Sequence, residues 1–249
     1  MADHAVSRVG ETVKRPARAS SASVQAVLLH LRRAGVTCVP EPLGFDELGR
    51  EVVSYLAGDV WNDPLPDVVW RESTLVAAAE LLRVLHDATL DFQPPAEACW
   101  MLSMPSDLPL EVVCHNDFAP YNAVFVDDRL AGVIDWETAV PGARVWDVAH
   151  TAYRFVPLSA SAPPELRGTR VQARRLALFC DAYGLDSADR AILVATVARR
   201  ATALQELVVT LAASGDPAGQ ARLGEGHADL YAADMRYLLA EEAALGAEL

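Results

Sequence analysis

The chain has 249 residues, 52% of them hydrophobic, and 34 Asp and Glu against 21 Lys and Arg give a formal charge of −13. That length suits one large domain or two small lobes, and the hydrophobic share provides a sizeable core and excludes wholesale disorder. The acidity works against binding nucleic acid or an anionic membrane; it is ordinary for a cytosolic surface and also suits a cationic ligand.

The four cysteines, Cys38, Cys99, Cys114 and Cys180, are scattered without a C-x-x-C pair. They form neither a disulfide framework nor a zinc pattern, so reduced thiols and a cytoplasmic location are expected. The N-terminal stretch "MADHAVSRVGETVKRP" lacks the apolar segment of a secretory signal. The longest apolar helical run, "AILVATVA" at 191–198, stops at Arg199 and Arg200, far short of a membrane span.

In chain order, residues 6–16 read as two short extended pieces around a turn at Gly10–Glu11, ending at Pro16. "SSASVQAVLLHLRRAG" (20–35) predicts a helix with Ser20 or Ser21 as its cap. Val24, Val27, Leu28 and Leu31 form its apolar stripe, and Gly35 closes it. "VPEPLGFDELGREVVSYLAG" (39–58) predicts two strands around a turn near Leu48–Gly49, followed by a Pro-containing connector. "RESTLVAAAELLRVLHDAT" (71–89) has the spacing of an amphipathic helix. A second β segment spans 110–135, and helices dominate after 143, with Gly184 ending one and Asp186 capping the next. The expected class is α+β: a small β-rich lobe at 1–57 and a larger, mainly helical lobe at 58–249.

Chemistry concentrates in "CHNDFAPYNAVFVDDRLAGVIDWETAVPGARVWDVAH" (114–150). Asp127, Asp128 and Arg129 make a good turn between two apolar runs. A hairpin centred between Asp128 and Arg129 sets Asn122 opposite Asp135, and directly opposed side chains have Cβ atoms about 4.5–5.5 Å apart. An amide oxygen and a carboxylate so placed share a hard cation such as Mg²⁺. Asp117, on the loop feeding the same strand, faces that point as a second carboxylate. A two-ligand metal site beside an orienting base suits phosphoryl transfer, where the protein supplies charge neutralisation and geometry. Three polar side chains converging inside apolar strands would be costly to bury without a ligand.

The spacing H-x-D-x-x-x-x-N at His115, Asp117 and Asn122, with I-D-W at Ile134–Trp136 and W-D-x-A from Trp146, resembles the aminoglycoside phosphotransferase and choline kinase family. The resemblance implies a protein-kinase-like fold of two lobes, here with a truncated N-lobe. It implies Asp117 as the catalytic carboxylate and Asn122 and Asp135 as the Mg²⁺ ligands. His115 and Asp147 would brace the loop, and ATP or GTP would be the phosphate donor. It also implies a lysine or arginine of the small lobe at the phosphates. "TVKRP" matches that strand with Lys14, and Arg15 as its rival, since alternation turns only one of the two inward. "EVVSYLAG" is similar to the hinge that meets an adenine edge, near Tyr55 and Leu56.

Two departures stand out. Nine residues precede Gly10, too few for the strand and glycine-bearing loop that cover the phosphates in the family. The helix at 22–34 offers Val24 and Gln25 where a glutamate would pair with the strand cation. Either the start lies upstream or nucleotide is held more loosely. No P-loop or Rossmann glycine pattern occurs.

On the acceptor side, Glu137, Asp181 and Glu206 are acidic residues able to meet an amine-bearing substrate, or else plain surface carboxylates. The expected activity is Mg²⁺-dependent transfer of a nucleotide γ-phosphate to a hydroxyl of a small molecule, a cationic antibiotic being one candidate. The alternative is a kinase-like immunity protein that sequesters a ligand or toxic peptide. A metal-dependent hydrolase built on His115, Asp117 and Asp135 would need more histidine ligands than the spacing offers.

Overall fold

The computed structural model describes residues 6–249, so the first five residues of the stretch read for a targeting signal lie outside it. The chain divides into two compact units, one holding the chain up to Val69 with Glu80–Asp147, the other Trp70–Ala79 with Val148–Leu249.

The first unit opens with β1 (Ser7–Val9) and β2 (Thr12–Arg15), joined by a tight turn in which Gly10 takes a positive φ of 60°. Helix α1 (Ser21–Arg33) follows, burying Val24, Val27, Leu28 and Leu31 as its spacing predicts. Ser20 precedes it without a side-chain cap. Ser21 does not cap it either: its Oγ accepts from the Arg18 amide, upstream of the helix, at 3.0 Å, and so fixes the approach to α1 and leaves its first-turn amides without a side-chain acceptor. Strands β3 (Pro42–Phe45) and β4 (Glu51–Ser54) complete an antiparallel sheet of order β1-β2-β4-β3.

The connector after β4 is not a loose link. Asp59 and Phe125 exchange both backbone hydrogen bonds, at 2.8 and 2.9 Å. The chain passes so close there that a Cβ on Gly58 (φ 148°) would lie 2.5 Å from the Phe125 carbonyl oxygen and 2.6 Å from Val124 Cγ1. Helix α2 (Glu72–Asp87) leads to β5 (Val112–Cys114), then to the hairpin β6 (Ala123–Val126) and β7 (Arg129–Val133). β8 (Val140–Gly142), beyond the β segment expected at 110–135, pairs antiparallel with β5. The hairpin is docked on the preceding segment through Val133 N–H donating to Cys38 C=O at 2.9 Å.

The hairpin register corrects the sequence reading. The turn consists of Asp127 and Asp128 alone, both with positive φ (49° and 61°), and Val126 faces Arg129. A bulge then shifts the ladder, because Phe125 faces Leu130 whereas Val124 faces Gly132. Asn122 therefore lies opposite Ile134, whose N–H donates to the Asn122 carbonyl at 2.9 Å. Asp135 falls one residue beyond that pair.

The second unit is helical: α4 (Thr169–Tyr183), α5 (Ser187–Ala213), α6 (Pro217–Gly224), α7 (His227–Ala240) and α8 (Glu242–Leu245) follow α3 (Arg144–Phe155), which begins in the first unit. Gly184 closes α4 in the left-handed region, and the Asp186 side chain caps α5 by accepting from the Asp189 amide at 2.9 Å. Among the described residues no helix is long and apolar enough to cross a membrane, and all four cysteines are free thiols.

Replacing Gly58 by alanine should strain the backbone and press on β6. The expected loss is about 2–3 kcal/mol of unfolding free energy, read as a lower urea midpoint at unchanged m-value.

Candidate phosphotransfer site

The polar loop after β5 is held by one carboxylate. Asp147, wholly buried near the start of α3, accepts from the backbone amides of His115 (2.6 Å) and Asn116 (2.7 Å) and from His86 Nε2 of α2 (3.1 Å). Burial opposes its ionisation, but the hydrogen bond and charge of His86, with the His115 contacts, overcome this and hold its pKa at about 2. Aiming two successive amides at one carboxylate requires a bend, and Asn116 supplies it at φ 65°, a region asparagine tolerates better than most residues. The Asn116 side chain then donates to the Thr138 carbonyl at 3.2 Å. Asn116, without a role in the sequence reading, is the loop's left-handed corner.

His115 is braced on every side. Its Nε2 donates to the Ile134 carbonyl at 3.0 Å, its Nδ1 accepts from the Asp117 amide at 3.2 Å, and its ring packs edge-on against Trp136 at 4.7 Å. Both ring nitrogens are engaged with the backbone, one as donor and one as acceptor, which corresponds to a neutral imidazole in a fixed tautomer.

Asp117 follows, partly exposed. Its Oδ1 accepts from Tyr121 Oη at 2.6 Å and its Oδ2 from Asn122 Nδ2 at 2.9 Å, while Asn122 Nδ2 also reaches the Asp117 carbonyl at 2.8 Å. A single 3-10 turn, Pro120–Asn122, brings both donors back over the carboxylate. With its amino group committed to Asp117, Asn122 has its amide oxygen to offer a cation. Asp135, left-handed at φ 63°, has a half-exposed carboxylate whose Oδ1 lies 3.0 Å from Arg15 Nη1. An amide oxygen and a carboxylate are the hard donors that Mg²⁺ takes, with water completing the shell. The donor chemistry of these residues thus fits the ion.

On the small-sheet side the structure separates the two rival cations. Lys14 pairs with Asp46 at 3.2 Å. Arg15, on the opposite face of β2, reaches Glu51 at 2.8 Å and Asp135 at 3.0 Å. Burial works against its charge, yet the Glu51 hydrogen bond and the charges of Glu51, Asp135 and Glu137 raise its pKa above the ordinary arginine value. Arg15, not Lys14, is therefore the cation brought to Asp135. Tyr55 gives its amide to the Glu11 carbonyl at 2.8 Å and its ring to Arg8, whose guanidinium lies 3.5 Å from the ring centroid. Leu56 packs beside Gly132 of β7.

The acidic residues expected to meet substrate are distributed over the two units. Glu137, in the first, is paired with Arg18 at 3.0 Å. In the second, Asp181 of α4 is paired with Arg190 at 2.8 Å, and Glu206 sits exposed on α5. Sequence reasoning missed Tyr121 and Glu51. Tyr121 could have been suspected from its position four residues after Asp117. Glu51 was visible only as a charge opening an otherwise apolar strand.

Comparison with known proteins places this geometry. The model of the phosphotransferase enzyme family matches residues 89–191, from just past α2 through the loop and hairpin into α5. The trifolitoxin immunity protein of Rhizobium leguminosarum bv. trifolii is 32% identical over 192 residues, covering 74% of this chain and 72% of its own. The chain belongs to the phosphotransferase enzyme family. Among solved structures, a choline/ethanolamine kinase family protein from Mesorhizobium loti superposes with a TM-score of 0.66 at 18% identity, covering 98% of this chain and 88% of its own. An amicoumacin kinase in complex with AMP-PNP, Ca²⁺ and Ami does so with a TM-score of 0.66 at 11% identity, covering 96% and 88%. These likenesses bear out the α+β, protein-kinase-like fold class expected from the sequence.

The depressed pKa of Asp147 carries a stability consequence. A carboxylate ionised more readily in the folded state stabilises the fold above its unfolded pKa near 3.8 and loses that contribution as pH falls towards about 2. Asp147→Asn should therefore remove the part of the acid-range decline that this group causes, on the order of 2 kcal/mol. It should also lower stability at neutral pH, both read from urea midpoints between pH 2 and 7.

Proposed function

We propose that this protein is a Mg²⁺- and nucleotide-dependent phosphotransferase that moves the γ-phosphate of ATP or GTP to a hydroxyl of a small molecule. The observation that carries this reading is the placement of Asp117 against Asn122, with Asp135 against Arg15, in a chain belonging to a phosphotransferase family. Family membership and fold support small-molecule phosphoryl transfer as a class. The residue roles and the donor are our assignment.

Asp117 receives the hydroxyl proton as the substrate oxygen attacks the γ-phosphorus and the bond to the nucleoside diphosphate breaks. Tyr121 and Asn122 hold its two oxygens in place, so the carboxylate needs no reorganisation at the moment of attack. Asn122 and Asp135 would hold Mg²⁺, which when bound supplies charge neutralisation at the phosphates. Arg15 adds a fixed positive charge from the small sheet, and its planar donor fork suits phosphate oxygens. The strands of residues 1–57 would meet the nucleotide, with Tyr55 and Leu56 at the base, and the remainder would provide catalysis and acceptor binding. Glu137, Asp181 and Glu206 are the carboxylates we assign to an amine-bearing acceptor such as a cationic antibiotic. A cytoplasmic enzyme is the setting in which nucleotide is available.

A second reading is favoured by one finding: the relative at 32% identity is an immunity protein. On this reading the chain protects by holding a toxic ligand, with little or no transfer.

Asp117→Ala should reduce phosphate transfer by about 10²–10⁴-fold while ATP with Mg²⁺ still binds, measured by product formation over a panel of hydroxylated amines and antibiotics and by calorimetry. Near-normal turnover would refute the assigned base, and protection from a toxic ligand at full strength in this variant would favour sequestration. In the same calorimetry, Arg15→Met should weaken ATP by about tenfold, the scale of one charge-assisted hydrogen bond, and Lys14→Met by much less.

A further inference from the structure

Arg15 meets a second carboxylate that the phosphotransfer reading leaves without a task. Glu51 is the cross-strand partner of Arg15 in the β2–β4 pair and is 1% exposed. Its Oε2 accepts from Arg15 Nε at 2.8 Å and from Ser21 Oγ at 3.0 Å, and its Oε1 accepts from Gln25 Nε2 at 2.9 Å. Gln25 is itself fixed, donating also to the Val52 carbonyl at 3.3 Å and accepting from the Gly44 amide at 3.0 Å. A carboxylate buried this deeply persists only with a charge partner and satisfied lone pairs. Here three donors hold it, the Arg15 guanidinium from β2 and the neutral Ser21 and Gln25 from α1. Arg15 divides its donors, Nε to the buried Glu51 and Nη1 to the half-exposed Asp135.

In protein kinases the cation at the phosphates is paired with a glutamate carried by a helix, and moving that helix makes or breaks the pair. In this chain α1 presents only neutral groups to the pair, Ser21 and Gln25, and the carboxylate comes from the neighbouring strand. The register of two hydrogen-bonded strands sets the Arg15–Glu51 contact, so it does not depend on charge supplied by α1.

We propose that Glu51 is a positioning residue of the nucleotide site. From β4 it holds Arg15 extended towards Asp135 and the phosphates, taking over the task that the missing helix glutamate would perform. The inference rests on the phosphotransfer reading. Its consequence is a phosphate-side cation that stays aimed without a helix movement to switch it on.

The test is calorimetric titration of ATP with Mg²⁺ into the full chain, with melting temperature measured alongside without nucleotide. Glu51→Gln keeps the shape and removes the charge, and should weaken ATP by about tenfold. Adding Gln25→Glu returns a carboxylate to the same pocket from α1, since the Gln25 amide nitrogen lies 2.9 Å from the Glu51 carboxylate. The double variant should recover ATP affinity to within a few-fold of the wild type, which a merely structural role for Glu51 would not produce. If Glu51→Gln does not fold, Glu51→Asp, which draws the carboxylate back by one methylene, should weaken ATP while the protein stays folded. ATP binding unchanged in the folded Glu51 variant, or weakened equally in the double variant, overturns the inference alone. A wild type that binds no ATP overturns the phosphotransfer reading and the inference with it.

Discussion

Everything in the loop after β5 depends on the Asp147 carboxylate. Two successive backbone amides and a buried histidine converge on it. A chain leaving a strand would ordinarily turn its amides to solvent or continue the ladder. Here the amides of His115 and Asn116 are drawn inward, which forces the left-handed corner at Asn116 and turns Asp117 outward. Because the anchoring groups come from the end of α2 and the start of α3, the loop inherits the rigidity of both elements. Desolvation makes this costly, and only the density of hydrogen bonds around the carboxylate offsets it.

The hairpin then determines which groups face one another. Its two-residue turn and its bulge between Val124 and Phe125 set Asn122 against Ile134 rather than Asp135. The left-handed conformation at Asp135 redirects that side chain to Arg15. Asn122 meanwhile folds back on Asp117, so the two residues read from sequence as cross-strand partners act through different neighbours. The proposed metal pair therefore rests on the donor chemistry of Asn122 and Asp135, not on a cross-strand ladder between them.

Arg15 joins the small sheet to this chemistry. A lone cation on a strand end would be a solvated surface residue, and one half of the Lys14–Arg15 pair, Lys14, is tied instead to Asp46. Arg15 differs because β4 places a buried glutamate directly across from it. The pairing of two strands thereby turns an ordinary basic dipeptide into one residue facing Glu51 and Asp135 and one facing Asp46.

Much of this protein was legible in its residues. The helices at 21–33 and 72–87, the Gly10 turn, the Asp186 cap and the α+β class follow from local periodicity and capping, which need only neighbours a few positions apart. The spacing of His115, Asp117 and Asn122 with the I-D-W run marked the site for the same reason, since short motifs keep their geometry within one loop. What tertiary structure alone decided are the relations between distant segments: β8 pairing with β5, the hairpin bulge, Arg15 rather than Lys14 facing Asp135, and Glu51 as its partner. A one-residue shift in register reverses the face on which a side chain lies. Sequence fixes which residues alternate, but only the packed sheet determines which of them meet.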